Sequence, residues 1–330
     1  MIIIFSKNYG ENTTDNVLNW LYHHKKDNEV ILRINGDDLL NKDFYIDISN
    51  SEFNFNNQKI DNQIVNTIWF RRTFDEDFLN IEPKIFNEFH NNKTLENHLF
   101  SELRTIYRFL ESFLDNSVWI NKYSESLNKL KTLKLAEKHG LKIPDTYITN
   151  KIEIINQLAA DKNLITKPIS DAVTLFDDDS HYMMYTSEVS EIKKEGYIFP
   201  TKLQSKIDKK FELRIFYIDD VFYSMAIFSQ NDHKTKVDFR NYNYKKSNRN
   251  VPYKLPLKIE SSLKELVKEL NLKTCSIDMI VSKDEEYYFL EINPVGQFGM
   301  VSKPCNYHLE EQMALYILKN YEESNNKIKK

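Results

Sequence analysis

Along the first 120 residues, apolar positions form short unbroken runs and longer helical stripes. Ile2 to Phe5 is apolar throughout and stops at Ser6, Lys7 and Asn8, the pattern of a buried opening strand. Val30 to Ile34 and Ile64 to Phe70 read as further strands, with a helix near Thr14 to His24 between the first two. Leu95, Leu99, Leu103, Ile106, Leu110 and Phe113 recur at steps of 4, 4, 3, 4 and 3, one face of a long amphipathic helix. The segment Ser126 to Thr146 reads as a helix closed by Gly140 and blocked from continuing by Pro144. Strands then dominate: Leu164 to Lys167, Glu212 to Ile218, Val221 to Phe228, Ser276 to Val281 and Tyr287 to Ile292. Helices over about 259–270 and 308–321 interrupt and close them. An α/β start followed by antiparallel strands and helices predicts α+β organisation in the second half.

Composition narrows the partners. The 330 residues carry 45 basic and 49 acidic side chains, a net charge of −4, which gives no general argument for nucleic acid or an anionic membrane. The apolar start is too short for a signal segment or a membrane span. Cys275 and Cys305 cannot form a disulfide framework or a four-ligand zinc site, so reduced thiols in the cytoplasm are expected, with buried free cysteines the plainest reading. The six glycines are scattered, which excludes a Rossmann fingerprint and a Walker loop. A nucleotide would have to be held another way.

The candidate chemistry lies at strand ends. In Leu290-Glu291-Ile292-Asn293-Pro294, period-two alternation puts Glu291 and Asn293 on one face, two oxygen donors suited to a hard cation such as Mg²⁺. Asp278 sits inside the apolar run Ser276 to Val281, where a carboxylate needs a partner; a cation shared with Glu291 would supply one. Lys167 ends an apolar strand just before Pro168, placed for a phosphate oxygen, although a surface lysine reads the same way. Glu212 and Arg214 share one face of Phe211 to Ile218, as a structural ion pair or with Arg214 clamping an anion. Arg240 and Arg249, near Asn241, Asn243 and Asn250, could neutralise a triphosphate or simply occupy a polar loop.

The order of these pieces resembles the ATP-grasp superfamily over nearly the whole chain, and within it the graspetide synthetases, including microviridin-type ligases and the maturases of grasp-with-SPASM systems. The resemblance is carried by Ile68-Trp69-Phe70-Arg71-Arg72, Phe211 to Ile218, Ser224 to Gln230, Asp238 to Asn243 and the run Phe289 to Cys305. It implies an N-terminal pre-ATP-grasp α/β domain over 1–120, a central subdomain with a lid over 121–208 and a C-terminal subdomain with the metal site over 209–330. It also implies that Lys129 and Lys167 contact ATP phosphates and that the strand Gln204, Ser205, Lys206 and Ile207 holds adenine, with Glu212 beside it. Arg214, Arg240 and Asn241 would serve the transferring phosphate, and Asp278, Glu291 and Asn293 would hold two Mg²⁺ ions. The substrate would be the leader-bearing precursor peptide of a ribosomal product, its Asp or Glu carboxylates activated as acyl phosphates and closed onto Thr, Ser or Lys side chains. Arg71, Arg72, Arg249 and Gln297 are candidate peptide contacts, with a structural salt bridge to the second domain the competing reading for the first two. A homodimer is left open. Two alternatives stay beside this one: a ligase adding an amino acid to a peptide or protein carboxylate, and a non-catalytic nucleotide-dependent peptide-binding protein. One departure is plain, since Ser170 to Thr186, where a glycine-containing lid is expected, has no glycine.

Overall fold

The computed structural model describes residues 1–61, 63–73, 92–123, 127–170, 174–177, 180–184, 186–230 and 248–328. The chain divides into two units, Met1–Ser126 with His308–Lys330, and Leu127–Tyr307.

The opening apolar run forms β1 (Ile2–Ser6), buried along its whole length. It is followed by α1 (Asn12–His24), β2 (Ile31–Asn35), α2 (Asp38–Asn41), β3 (Phe44–Asp47), β4 (Glu52–Phe55), β5 (Gln58–Ile60), β6 (Thr67–Phe70), α3 (Lys93–Phe113) and β7 (Val118–Ile120). A parallel sheet of order β2-β1-β6-β7 places β1 inside, so both of its faces are covered and no alternation is visible in its sequence. The predicted strand over 64–70 begins only at Thr67. The meander β3-β4-β5 was not legible in the hydrophobic pattern, because its strands have only three or four residues. Its signal was Asn56-Asn57, both at positive φ (49° and 61°), the two-residue turn that joins twisted antiparallel strands.

Helix α3 buries Phe100, Leu103, Tyr107 and Leu110, a stripe displaced from the leucine series that predicted it. The aromatic rings set the centre of the face. Phe5 meets Tyr107 edge-on at 5.7 Å and stacks on Trp119 at 6.0 Å. The C-terminal helix, expected over 308–321 within the C-terminal subdomain, runs Leu309–Ile328 and instead packs on α1, β6 and β7 of the first unit. Among the described residues no helix is long and apolar enough to cross a membrane.

The second unit contains α4 (Lys129–Lys138), β8 (Thr146–Lys151), α5 (Ile152–Asp161), β9 (Leu164–Thr166), β10 (Thr174–Asp177), β11 (Ser180–Met183), β12 (Ser187–Glu188) and β13 (Tyr197–Ser205). It continues with β14 (Lys209–Ile218), β15 (Val221–Phe228), β16 (Arg249–Tyr253), α6 (Leu257–Glu269), β17 (Thr274–Ser282), β18 (Tyr287–Asn293) and α7 (Gly299–Cys305). One antiparallel sheet has the order β12-β9-β13-β8 and a second β16-β15-β14-β17-β18. The stretch without glycine after Lys167 includes the hairpin β10-β11. Gly140 ends α4 at φ +79°, the left-handed closure read from the sequence.

In β14, Phe211, Leu213, Ile215 and Tyr217 face the core, as do Cys275, Ile277, Met279 and Val281 of β17. Leu133 of α4 and Leu263 of α6 complete that core. Alternation therefore sends Glu212, Arg214, Ser276 and Asp278 to the opposite face. Both cysteines are buried free thiols.

In the first unit, Glu11 is buried; Arg71 Nε donates a hydrogen bond to its Oε1 at 3.0 Å, and Arg72 Nε lies 2.7 Å from its Oε2 as an ion pair without hydrogen-bond geometry. Removing Glu11 leaves a buried guanidinium without its counter-charge. Glu11→Ala should lower the unfolding free energy by about 3–5 kcal/mol; a denaturant titration giving less than about 1 kcal/mol, the scale of an exposed pair, would show that the cluster is not a buried charge centre.

Candidate active site

Residues Arg214, Asp278 and Glu291 form a row across three adjacent strands. Arg214 of β14 lies directly opposite Asp278 of β17, and Asp278 lies directly opposite Glu291 of β18. Plain alternation along β18 would not place Glu291 there. Tyr287 and Phe289 pack on the core side, and Glu291, two residues on, would follow them. A register shift between Asp278 and Met279 leaves Leu290 as an extra residue, so Glu291 turns to the charged face and Ile292 returns to the core. This bulge re-aims a carboxylate at the site.

The row is internally paired. Arg214 Nη1 donates to Asp278 Oδ2, and Lys129 Nζ donates to Glu291 Oε2 at 3.0 Å. Lys129 is the first residue of α4. The Asn128 side chain accepts hydrogen bonds from the N–H groups of Leu130 and Lys131, both at 3.0 Å. That cap is why an Asn precedes the lysine: it fixes the helix start, worth about 1 kcal/mol, and with it the lysine's position. Glu212 and Arg214 do not pair with each other. The Glu212 oxygens are taken by Lys209 Nζ and by Ser229 Oγ, the latter at 2.7 Å. Arg214 Nε is buried with no hydrogen-bond partner among the described residues.

Beside the row lies a cleft whose apolar walls include Ile165, Ile207, Met279 and Leu290, with Lys167 and Gln204 reaching it from β9 and β13. The predicted hinge strand is only partly available to a base. Ser205 N–H donates to Asp145 O at 2.9 Å and Lys206 N–H to Asn163 O at 2.8 Å, whereas Ile207 N–H makes no hydrogen bond among the described residues. The Lys206 side chain is taken by Glu188.

Gln204 carries a sharper signal. Thr146 Oγ1 donates its proton to Pro144 O at 2.8 Å, so towards Gln204 it can only accept, and it accepts from Nε2 at 2.8 Å. The amide is thereby fixed with Oε1 as a buried acceptor that has no donor among the described residues. A cleft with apolar walls, one N–H donor and one orphaned carbonyl acceptor fits the edge of an adenine.

The cation residues fit more sparingly. Asn293 Oδ1 accepts from Val295 N–H at 2.9 Å and shapes the following turn, leaving one lone pair for a metal. Among the described residues no three His, Cys, Asp or Glu side chains are grouped closely enough to hold a metal ion by themselves. Two carboxylates and an amide suit Mg²⁺ that keeps waters and shares phosphate oxygens, rather than an all-protein cage.

The remaining expected residues fall elsewhere. Arg249 lies on the edge strand β16, over the Phe228 ring at 5.7 Å, three strands from Asp278. Gln297 is exposed in the turn before α7. Arg71 is enclosed, 3 % exposed, in the Glu11 pair, whereas Arg72 keeps a third of its side chain in solvent. Arg240 and Asn241 lie outside the described residues. Sequence reasoning missed Lys202, which is buried on the same face of β13 as Gln204.

No protein-family model and no curated protein matches the chain. Solved structures do. A RiPP-associated ATP-grasp ligase of Chryseobacterium gregarium, in complex with ADP and a leader and core peptide, superposes with a TM-score of 0.79 at 26% identity, covering 96% of this chain and 94% of that one. The chain has the ATP-grasp fold and is similar to this peptide ligase. The macrocyclase MdnC of Microcystis aeruginosa, bound with its precursor peptide MdnA, shares this ATP-grasp fold with a TM-score of 0.78 at 22% identity, over 96% and 99% of the two chains. D-alanyl-alanine synthetase A of Vibrio cholerae matches more loosely, with a TM-score of 0.56 at 10% identity over 97% and 98%. The expected fold class and the resemblance to graspetide synthetases both hold.

The turn that carries Asn293 has no room for a side chain at Gly296. A Cβ there would lie 1.8 Å from Ser276 Oγ and 3.0 Å from Ser276 N. Gly296→Ala should therefore cost about 1–3 kcal/mol, and adding Ser276→Gly should recover part of it. Independent, additive effects in that double-mutant cycle would contradict the contact.

Proposed function

We propose that this protein uses ATP and Mg²⁺ to activate side-chain carboxylates of a ribosomally made precursor peptide and closes macrocycles between them and Thr, Ser or Lys side chains. The observation that carries the reading is the charged row Arg214–Asp278–Glu291, with Lys129 on it, beside a cleft with apolar walls, an N–H donor and an orphaned amide oxygen. The likeness to a ligase solved with ADP and a leader and core peptide supplies the substrate class.

The chemistry follows from charge. A carboxylate is a poor electrophile; its oxygen takes the terminal phosphoryl group, ADP leaves, and the acyl phosphate has a good leaving group. A hydroxyl or amine of the same peptide then attacks the acyl carbon, losing its proton as phosphate departs. Bound Mg²⁺ would neutralise phosphate charge, and Asp278, Glu291 and Asn293 are the residues to hold it. The protein's own work is positioning and neutralisation. Ile207 N–H and Gln204 Oε1 read the base edge. Lys167 meets the phosphate chain. Lys129, which donates to Glu291 here, would be placed to meet phosphate where Glu291 holds the metal. Arg214, anchored on Asp278, turns its buried Nε–H toward the transferring group. Arg72 is the exposed arginine offered to the peptide.

The decisive test is mass spectrometry of a precursor peptide encoded beside the gene, incubated with protein, ATP and Mg²⁺. Loss of one water mass per link, with fragmentation suppressed inside the linked region, is the expected result. ATP consumption with an unchanged peptide would favour a ligase that adds a free amino acid, and neither change would favour a binding protein. Asp278→Asn and Glu291→Gln should each lower turnover by roughly 100-fold or more while the circular dichroism spectrum stays unchanged. Full activity in either variant at ordinary Mg²⁺ would remove the metal assignment.

A further inference from the structure

Lys202 stands apart from every other lysine described. It lies in the middle of β13, opposite Ile148 of β8, and is 3 % exposed. Two residues further on, Gln204 projects from the same strand face into the cleft. The Lys202 ammonium makes no hydrogen bond and no ion pair among the described residues. A lysine this deeply buried is ordinarily paired, because taking an ammonium out of water without a partner is costly. The charged groups acting on it all belong to the site. Lys167 follows β9, Lys129 begins α4, and Glu291 on β18 supplies the only attraction among them. Burial first, and then the two lysines, pushes the Lys202 amine down to about 8.

Three lysines that repel one another in one place favour an anion beside them. Glu291 already accepts from Lys129. Asp278 is held by Arg214 and Glu212 by Lys209, so among the described residues in and around the cleft Lys129, Lys167, Lys202, Lys209 and Arg214 stand against the three carboxylates Glu212, Asp278 and Glu291. The surplus is positive and points at a ligand of several negative charges.

We propose that Lys202 is a third phosphate-binding lysine, whose buried ammonium closes on the phosphate chain of a nucleotide di- or triphosphate beside Lys129 and Lys167. This rests on the nucleotide reading of the cleft. It goes beyond it by assigning a residue that neither the motif order nor the pocket walls disclose. The lysine's place on the strand that also carries Gln204 couples the two ends of the ligand: one strand face reads the base and, two residues earlier, meets the phosphates.

Lys202→Met replaces the stem without the charge. Isothermal titration with ADP and Mg²⁺ should show binding by the wild-type protein and at least tenfold weaker binding by Lys202→Met, with adenosine, which has no phosphate, unaffected by the change. The thermal midpoint without ligand should stay the same or rise, because a buried unpaired amine has been removed. In the wild-type protein itself, acetic anhydride labelling followed by peptide mapping should find Lys202 modified without nucleotide and protected by ADP. ADP affinity equal in the two proteins, or labelling of Lys202 that ADP leaves unchanged, overturns the assignment while leaving the nucleotide site standing. No ADP binding by the wild-type protein overturns the nucleotide reading, and this assignment with it.

Discussion

The site depends on a register: Arg214, Asp278 and Glu291 stand side by side on three neighbouring strands because the bulge at Leu290 turns one carboxylate over. Each charge in that row would be costly alone in a half-buried sheet face. Together they are tolerable, since Asp278 holds Arg214 and Glu291 holds Lys129. Such pairs add little net stability, and their desolvation cost rivals their attraction. Their use is positional. The same four groups that satisfy one another are the groups a metal-bound polyphosphate would need, two to hold the cation and two to hold the anion. The face is preorganised for ligand charge and needs only an exchange of partners.

Much of this was legible in the sequence. Glu291-Ile292-Asn293 declared a same-face oxygen pair, and Asp278 stood out because an ionised side chain interrupts an otherwise apolar strand. Asn128 before Lys129 is a helix-cap signal that the structure bears out directly. Three things were not legible. The bulge depends on pairing with β17, which no local pattern encodes. Lys202 looks like any strand lysine until the sheet over it is known. The relay Pro144–Thr146–Gln204 joins residues about sixty positions apart, and only its geometry shows which end of the amide faces the cleft.

The first unit follows the same logic with a different outcome. Arg71 and Arg72 end a buried strand and read from sequence either as peptide contacts or as a salt bridge to the second domain. Glu11, apparently an ordinary turn acid, lies beneath both and binds them. One arginine is thereby committed to the fold, and the other keeps an exposed edge. Arginine's planar fork makes this division natural, because one face can be anchored while another stays available. The C-terminal helix, which the resemblance implied in the C-terminal subdomain, packs on α1, β6 and β7.

The central claim is that Asp278 and Glu291 hold a divalent cation together with a nucleotide. Electron paramagnetic resonance of Mn²⁺ titrated into the protein, with and without ADP, tests it most directly. The account predicts that Mn²⁺ binding strengthens sharply when ADP is present and that Asp278→Asn and Glu291→Gln each weaken it. Mn²⁺ uptake that is indifferent to ADP, or unchanged in both variants, would contradict it.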